Sequence, residues 1–188
     1  SNSFVLLGLS EIDLSGQNVI SIQSGSISKC EQLTKIDLSN NQLRAIASGF
    51  LSDLFLLDFI DLSGNLLHEL VYDTFGHLKS LTKIYLSNNI IKSIQTGAFV
   101  NLNHLKTLSL SFNFLREVNS DMFLGLENLT ELDLGNNKIS IISYNAFEHL
   151  SLLKTLYLKQ NLISTIEPFA FSKLTFLTEL VTRMHSAI

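Results

Sequence analysis

The chain has 188 residues, 46% of them hydrophobic, with 13 basic against 17 acidic side chains and a net charge of −4. That composition supports one substantial core and supplies no dense basic face for nucleic acid; its apolar runs, such as FVLLGL from Phe4, fall far short of the roughly 18 to 20 residues of a membrane span. A single cysteine, Cys30, excludes an intramolecular disulfide, a multi-cysteine zinc site and a Cys-x-x-Cys redox pair.

In chain order, residues 1–8 read as the remnant of a preceding unit, with Leu6 where such a unit would carry its last core leucine and Ser1-Asn2-Ser3 as a cloning remnant. The start without Met or a basic-then-apolar leader reads as a processed or trimmed product. From Leu9 the chain repeats every 24 residues, so that 9–176 form seven units and 177–188 begin another that stays incomplete. The first unit opens with Leu9, Ile12 and Leu14, then sets Gln17 in a polar column and Cys30 in a late apolar one. The second carries Leu33, Ile36, Leu38 and Asn41, then Phe50 and Leu54. The units led by Leu57, Leu81, Leu105, Leu129 and Leu153 put Asn65, Asn89, Asn113, Asn137 and Asn161 in the polar column. They also bring Phe75, Phe99, Phe123, Phe147 and Phe171 into register. The last piece keeps Leu177 and Leu180 but has Thr182 for the third leucine and His185 for the asparagine.

No unit of this size can bury its leucines alone, so neighbours must stack into a continuous core. The leucine-rich start of each unit reads as a short strand, and successive strands as a parallel sheet at about 4.8 Å spacing. An asparagine column inside that framework reads as a structural ladder: a side-chain amide offers two donors and an acceptor to backbone groups left open where each strand turns. The phenylalanine column reads as a stacked spine. Cys30, in the column of Leu54 and Leu78, reads as a small buried hydrophobe, with an intermolecular disulfide as the alternative.

The pattern L-x-x-L-x-L-x-x-N-x-L followed by F-x-x-L resembles the leucine-rich repeat, in the 24-residue form of Toll-like receptor ectodomains, Slit proteins, small leucine-rich proteoglycans and lamprey variable receptors. The resemblance covers residues 9 to about 180. It implies an α/β-type repeat solenoid, a horseshoe with a curved parallel β-sheet on the concave face and irregular or 3-10 return arms on the convex face. It further implies a non-enzymatic module that binds a protein partner in innate immunity or cell adhesion, outside the cell or in the ectodomain of a membrane receptor. The cysteine-rich caps of extracellular relatives are missing here, which predicts association through an end. The alternative is an assembly unit that homodimerises through an end or through a central apolar patch.

No catalytic residue, metal ligand or cofactor is expected. His68, His77, His104, His149 and His185 show neither an i, i+4 metal pair nor a serine or acid partner recurring in the repeat register, and the glycines lack phosphate-loop spacing. Asp13, Asp37, Asp61 and Asp133 fall in the outward strand column, where a solvated face, a partner contact and a calcium site are all open readings. A partner-binding patch is expected where Phe59, Tyr85 and Phe112 replace polar residues on what read as three successive strands, bordered by Leu66, Ile90 and Phe114. Asp37 and Asp61 lie beside it, and Tyr157 with Leu162 would extend it; the alternative is that these side chains lie flat on one another. Early units are acidic through Glu11, Asp13, Asp37, Asp58 and Asp61, while later ones mix Lys106, Lys138, Lys154 and Lys159 with Glu131 and Asp133. That asymmetry either orients an incoming protein or is ordinary surface variation. Asn128-Leu129-Thr130 is the only N-glycosylation sequon and points outside the cell.

Overall fold

A side chain at every second strand position faces the same way, so the leucines of each unit need only a three-residue strand to aim inward. The computed structural model describes residues 8–27, 30–47 and 49–182; the expectations placed on Ser1, Asn2, Ser3, Leu6 and His185 lie outside them. Its strands are β1 (Glu11–Asp13), β2 (Lys35–Asp37), β3 (Phe59–Asp61), β4 (Glu69–Leu70), β5 (Lys83–Tyr85), β6 (Ser93–Ile94), β7 (Thr107–Ser109), β8 (Glu117–Val118), β9 (Glu131–Asp133), β10 (Ile141–Ile142), β11 (Thr155–Tyr157), β12 (Thr165–Ile166) and β13 (Glu179–Val181). An eight-stranded parallel sheet runs β1-β2-β3-β5-β7-β9-β11-β13. Its register pairs each residue with its counterpart one unit on, Ile36 with Ile60 and Leu108 with Leu132. This is the leucine-rich repeat solenoid, and its core is the stack of the middle strand residues with the leucines that flank them.

The return arms close the other side of that core. Phe75 stacks on Phe99 at 6.0 Å between ring centroids, Phe123 on Phe147 at 6.0 Å, and Phe147 on Phe171 at 5.5 Å. Cys30 is 1% exposed, as a small core residue should be. The arms are more ordered than irregular loops: β4 pairs with β6, and β8, β10 and β12 form a second small sheet. A 3-10 turn spans Ser120–Phe123. In these short strands the second residue, Leu70, Ile94, Val118 or Ile142, turns inward, whereas Ile166 of β12 is exposed.

The asparagine column closes the strand-end backbone. Oδ1 of Asn41, Asn65, Asn89, Asn113, Asn137 and Asn161 accepts the N–H of Val19, Leu43, Leu67, Ile91, Leu115 and Ile139 in the preceding unit at 2.9–3.1 Å. Each Nδ2 donates to one carbonyl in the unit before and to two in its own unit, at 2.8–3.5 Å; for Asn113 these are Leu86 at 2.9 Å, Leu110 at 3.0 Å and Ser111 at 3.2 Å. Four of the six amides are buried to 4% exposure or less. Each interior carbonyl accepts from two successive amides, Leu86 O from Asn89 and Asn113, so losing one amide would orphan a buried N–H and leave two carbonyls with one side-chain donor fewer.

The turn that feeds the ladder demands a left-handed residue just before each amide. Gly16, Asn40, Gly64, Asn88, Phe112, Asn136 and Gln160 all have φ between 54° and 67° there. A second left-handed column, in the return arms, holds Gly25, Gly49, Asp73, Gly97, Asn145 and Phe169. Glycine and asparagine enter this region readily; a phenylalanine does so against steric resistance.

Candidate functional site

Outward positions of the main sheet form the concave surface. Phe59 begins β3 and Tyr85 ends β5, so they meet diagonally, with ring centroids 5.5 Å apart and planes at 57°. Both are half-buried, which places them between the two open readings: they lean on each other and still face outward. Lys35 sits over the Phe59 ring at 5.4 Å and reaches Glu11 at 3.8 Å.

The acidic column is tied to the backbone. Oδ1 of Asp13, Asp37, Asp61 and Asp133 accepts the N–H two residues on, from Ser15, Ser39, Ser63 and Gly135, at 2.8–2.9 Å. Asp37, Asp61 and Asp133 therefore each have one oxygen engaged in finishing the strand and one available to a partner. For Asp13 the Ser15 hydroxyl and N–H hold the carboxyl below its ordinary pKa. Among the described residues, no group of three or more His, Cys, Asp or Glu side chains is placed to hold a metal ion. Between Asp61 and Asp133 the column changes to Tyr85 and Ser109, and there the hydroxyls of Ser87, Ser109 and Ser111 bond one another at 2.7, 3.1 and 3.3 Å.

Phe112 is not on a strand, contrary to its reading from sequence. β7 ends at Ser109, and Phe112 lies three residues on at a φ of 55°, in the slot that neighbouring units give to Asn88 and Asn136. The N–H of Phe112 donates to Gly135 O at 2.9 Å, and its side chain is 52% exposed. Past the ladder, Leu66, Ile90 and Phe114 follow one another up the edge of the sheet, their N–H groups bonded to Leu43, Leu67 and Ile91 of the preceding units. The six apolar residues therefore form two adjoining surfaces, a concave pair and an edge stripe, with Phe112 on the turn between them. Tyr157 belongs to neither. Ser109 and Asp133 separate it from Tyr85 in the same column, and its phenol is pushed up by burial and then by Glu179, Glu131 and Asp133.

The family model for leucine-rich repeats matches residues 8–67, 65–115, 103–163 and 142–181. The chain belongs to the leucine-rich repeat family. Among solved structures, the crystal structure of the TLR13–ssRNA13 complex matches with a TM-score of 0.88 and 30% identity, over 94% of this chain and 26% of that one. The structure of the Toll–Spatzle complex, described as a hub in Drosophila development and innate immunity, matches with a TM-score of 0.74 and 24% identity, over 95% of this chain and 27% of that one. This repeat chain thus spans about a quarter of either molecule's matched chain. No curated protein sequence matches it.

Elsewhere on the repeats, His77 does face an acid, a pairing that does not recur in the repeat register. Its Nε2 lies 3.7 Å from Asp73 Oδ2, an i, i+4 spacing visible in the sequence. The pair borders a cleft of about 120 Å³ that Ser52 also lines, but the Ser52 hydroxyl donates to Gly49 O at 3.0 Å. His149 meets Glu148 at 3.5 Å, and His104 Nδ1 contacts Lys79 O at 2.9 Å. In the sequon, Asn128 Nδ2 donates to Asn103 O at 2.8 Å and the Thr130 hydroxyl to Lys106 O at 3.0 Å. Among the described residues, no helix is long and apolar enough to cross a membrane.

One surface feature escaped the sequence reading. Arg44, His68, Lys92 and Arg116 are exposed equivalents in four consecutive units, two places past Gln42 and the stripe residues Leu66, Ile90 and Phe114. They follow the same 24-residue period as the leucines, so charge at that period is the signal that marks them in the sequence.

Proposed function

We propose that this leucine-rich repeat chain is a non-enzymatic recognition module that binds a protein partner through the concave pair Phe59 and Tyr85, the edge residues Leu66, Ile90, Phe112 and Phe114, and the free carboxylate oxygens of Asp37 and Asp61. The observation that carries this reading is Phe112, a large apolar side chain held half-exposed in a left-handed slot that Asn or Gly would fill without strain. Tyr157 serves as a separate, more distant contact. Similarity to the TLR13 and Toll structures supports placement in an extracellular ectodomain, a role in innate immunity and a non-enzymatic role, with Asn128 as a glycan site. TLR13 is seen with ssRNA13. Here the carboxylates of Glu11, Asp13, Asp37 and Asp61 gather at one end of the concave sheet, and that end disfavours phosphate and favours a protein.

The test combines sedimentation across a roughly hundredfold concentration range with selection of binders from a displayed library of extracellular proteins. Wild type should stay monomeric and select a binder that Phe112→Asp and Phe59→Ala/Tyr85→Ala both lose. A concentration-dependent dimer abolished by Phe112→Asp would instead make the patch an assembly surface.

A further inference from the structure

Four consecutive units place a basic residue in the same exposed column: Arg44, His68, Lys92 and Arg116. On a chain of net charge −4 this is a local reversal of sign. Among the described residues Arg44, Lys92 and Arg116 form no ion pair, whereas His68 reaches Glu69 at 3.6 Å. Lys92 N–H donates to His68 O at 3.0 Å, and His68 Nδ1 contacts Arg44 O at 3.1 Å, so the column rises in step with the backbone ladder. Alongside it runs the apolar stripe, with Ile90 39% and Phe114 42% exposed. Charge and apolar surface therefore lie side by side over the same units.

We propose that this edge of the solenoid docks an acidic amphipathic helix of a partner protein, laid along the solenoid axis. The proposal rests on the reading of Leu66, Ile90 and Phe114 as partner contacts and adds what they contact. Adjacent units lie about 4.8 Å apart, and a helix offers one side-chain row per turn of about 5.4 Å, so over three steps the two drift by only about 2 Å. An extended segment repeats a face every two residues, about 6.7 Å, and drifts by roughly 6 Å over the same length. Carboxylates one per turn can then meet the basic column while the neighbouring apolar row covers the stripe. A polyanionic nucleic acid fits less well. Two of the three stripe residues are aliphatic and offer no base a ring to stack on.

The experiment measures anisotropy of three labelled probes with the whole chain: a helical Glu/Leu peptide of about 20 residues, its Lys/Leu counterpart, and single-stranded oligouridylate of similar length. The Glu/Leu peptide should bind, and the Lys/Leu peptide should not. Reversing the column (Arg44→Glu/Lys92→Glu/Arg116→Glu) and opening the stripe (Ile90→Ser/Phe114→Ser) should each weaken binding about tenfold or more. These residues are exposed, and an unchanged thermal melt confirms that the variants fold. Equal binding by the column-reversed variant overturns the proposal. So does oligouridylate binding that depends on the column but not on the stripe. Phe59→Ala/Tyr85→Ala separates this inference from the broader reading. If that pair abolishes capture of a selected protein while no Glu/Leu peptide binds, recognition stands and the helix-docking edge falls.

Discussion

The two left-handed columns face the same steric demand and meet it alike, with Gly, Asn, Asp or Gln at every member but one, the return-arm column skipping Asp121 in the 3-10 turn. Each has a single phenylalanine, Phe112 at the strand turn and Phe169 in the return arm. Phe169 turns its ring onto Tyr144, 5.8 Å away in a T-shaped contact, and so recovers part of the strain within the fold. Among the described residues the Phe112 ring has no such aromatic contact, and it stands beside the exposed stripe. The difference teaches that strain alone does not mark a site. What distinguishes Phe112 is strain without an aromatic partner.

The strongest ways to break this comparison remove what anchors each turn. Phe147→Ala withdraws the ring packed between Phe123 and Phe171, two residues from Phe169, and should cost about 4 kcal/mol in calorimetric unfolding. Asn113→Ala strips the amide that finishes the Phe112 turn and should cost about 3 kcal/mol, with backbone amides of the Leu86 and Ile91 region exchanging faster. A subtler pair sharpens it. Phe112→Asn should stabilise the chain by about 1 kcal/mol, raising Tm by roughly 2–4 °C, while weakening partner binding. Phe169→Asn should change stability by less than about 0.5 kcal/mol, because relief of strain offsets loss of the Tyr144 contact. Equal gains from both would erase the distinction.

The smallest effect lies at Asp13, whose carboxylate finishes the strand leading into the turn at Gly16. Its folded pKa is lowered from 3.8, so its bonds to Ser15 are present above that value and are lost as pH falls through the lowered folded value. NMR of the Ser15 amide through acid titration should show this loss, and Asp13→Asn should remove the pH dependence there.

The solenoid, the strand register and the asparagine ladder were legible because all three follow from one period in apolar and amide residues. Phe112 was misplaced on a strand because a column shared by Gly, Asn and Gln looks like a polar surface position, when what those residues have in common is tolerance of positive φ. The backbone role of the Asp column was hidden for a related reason: spacing says which way a carboxylate points, but the N–H it caps appears only once the strand end bends back. The small return-arm sheets rest on two-residue strands, too short for alternation to announce them. The basic column was readable and went unread.

The ladder also sets the unit in which this molecule can change length. Every amide reaches back 22 residues for its donor and 27 for its carbonyl, always to an equivalent position. Excising residues 81–104 as a block would deliver Asn113 to Leu67 N–H and Leu62 O, groups of the same kind as those it now holds. The same cut would set Phe114 beside Leu66 and Arg116 beside His68, leaving both the stripe and the basic column unbroken. A lineage could thus lengthen or shorten its contact surface by whole repeats, matching partners of different reach, without reinventing the interior.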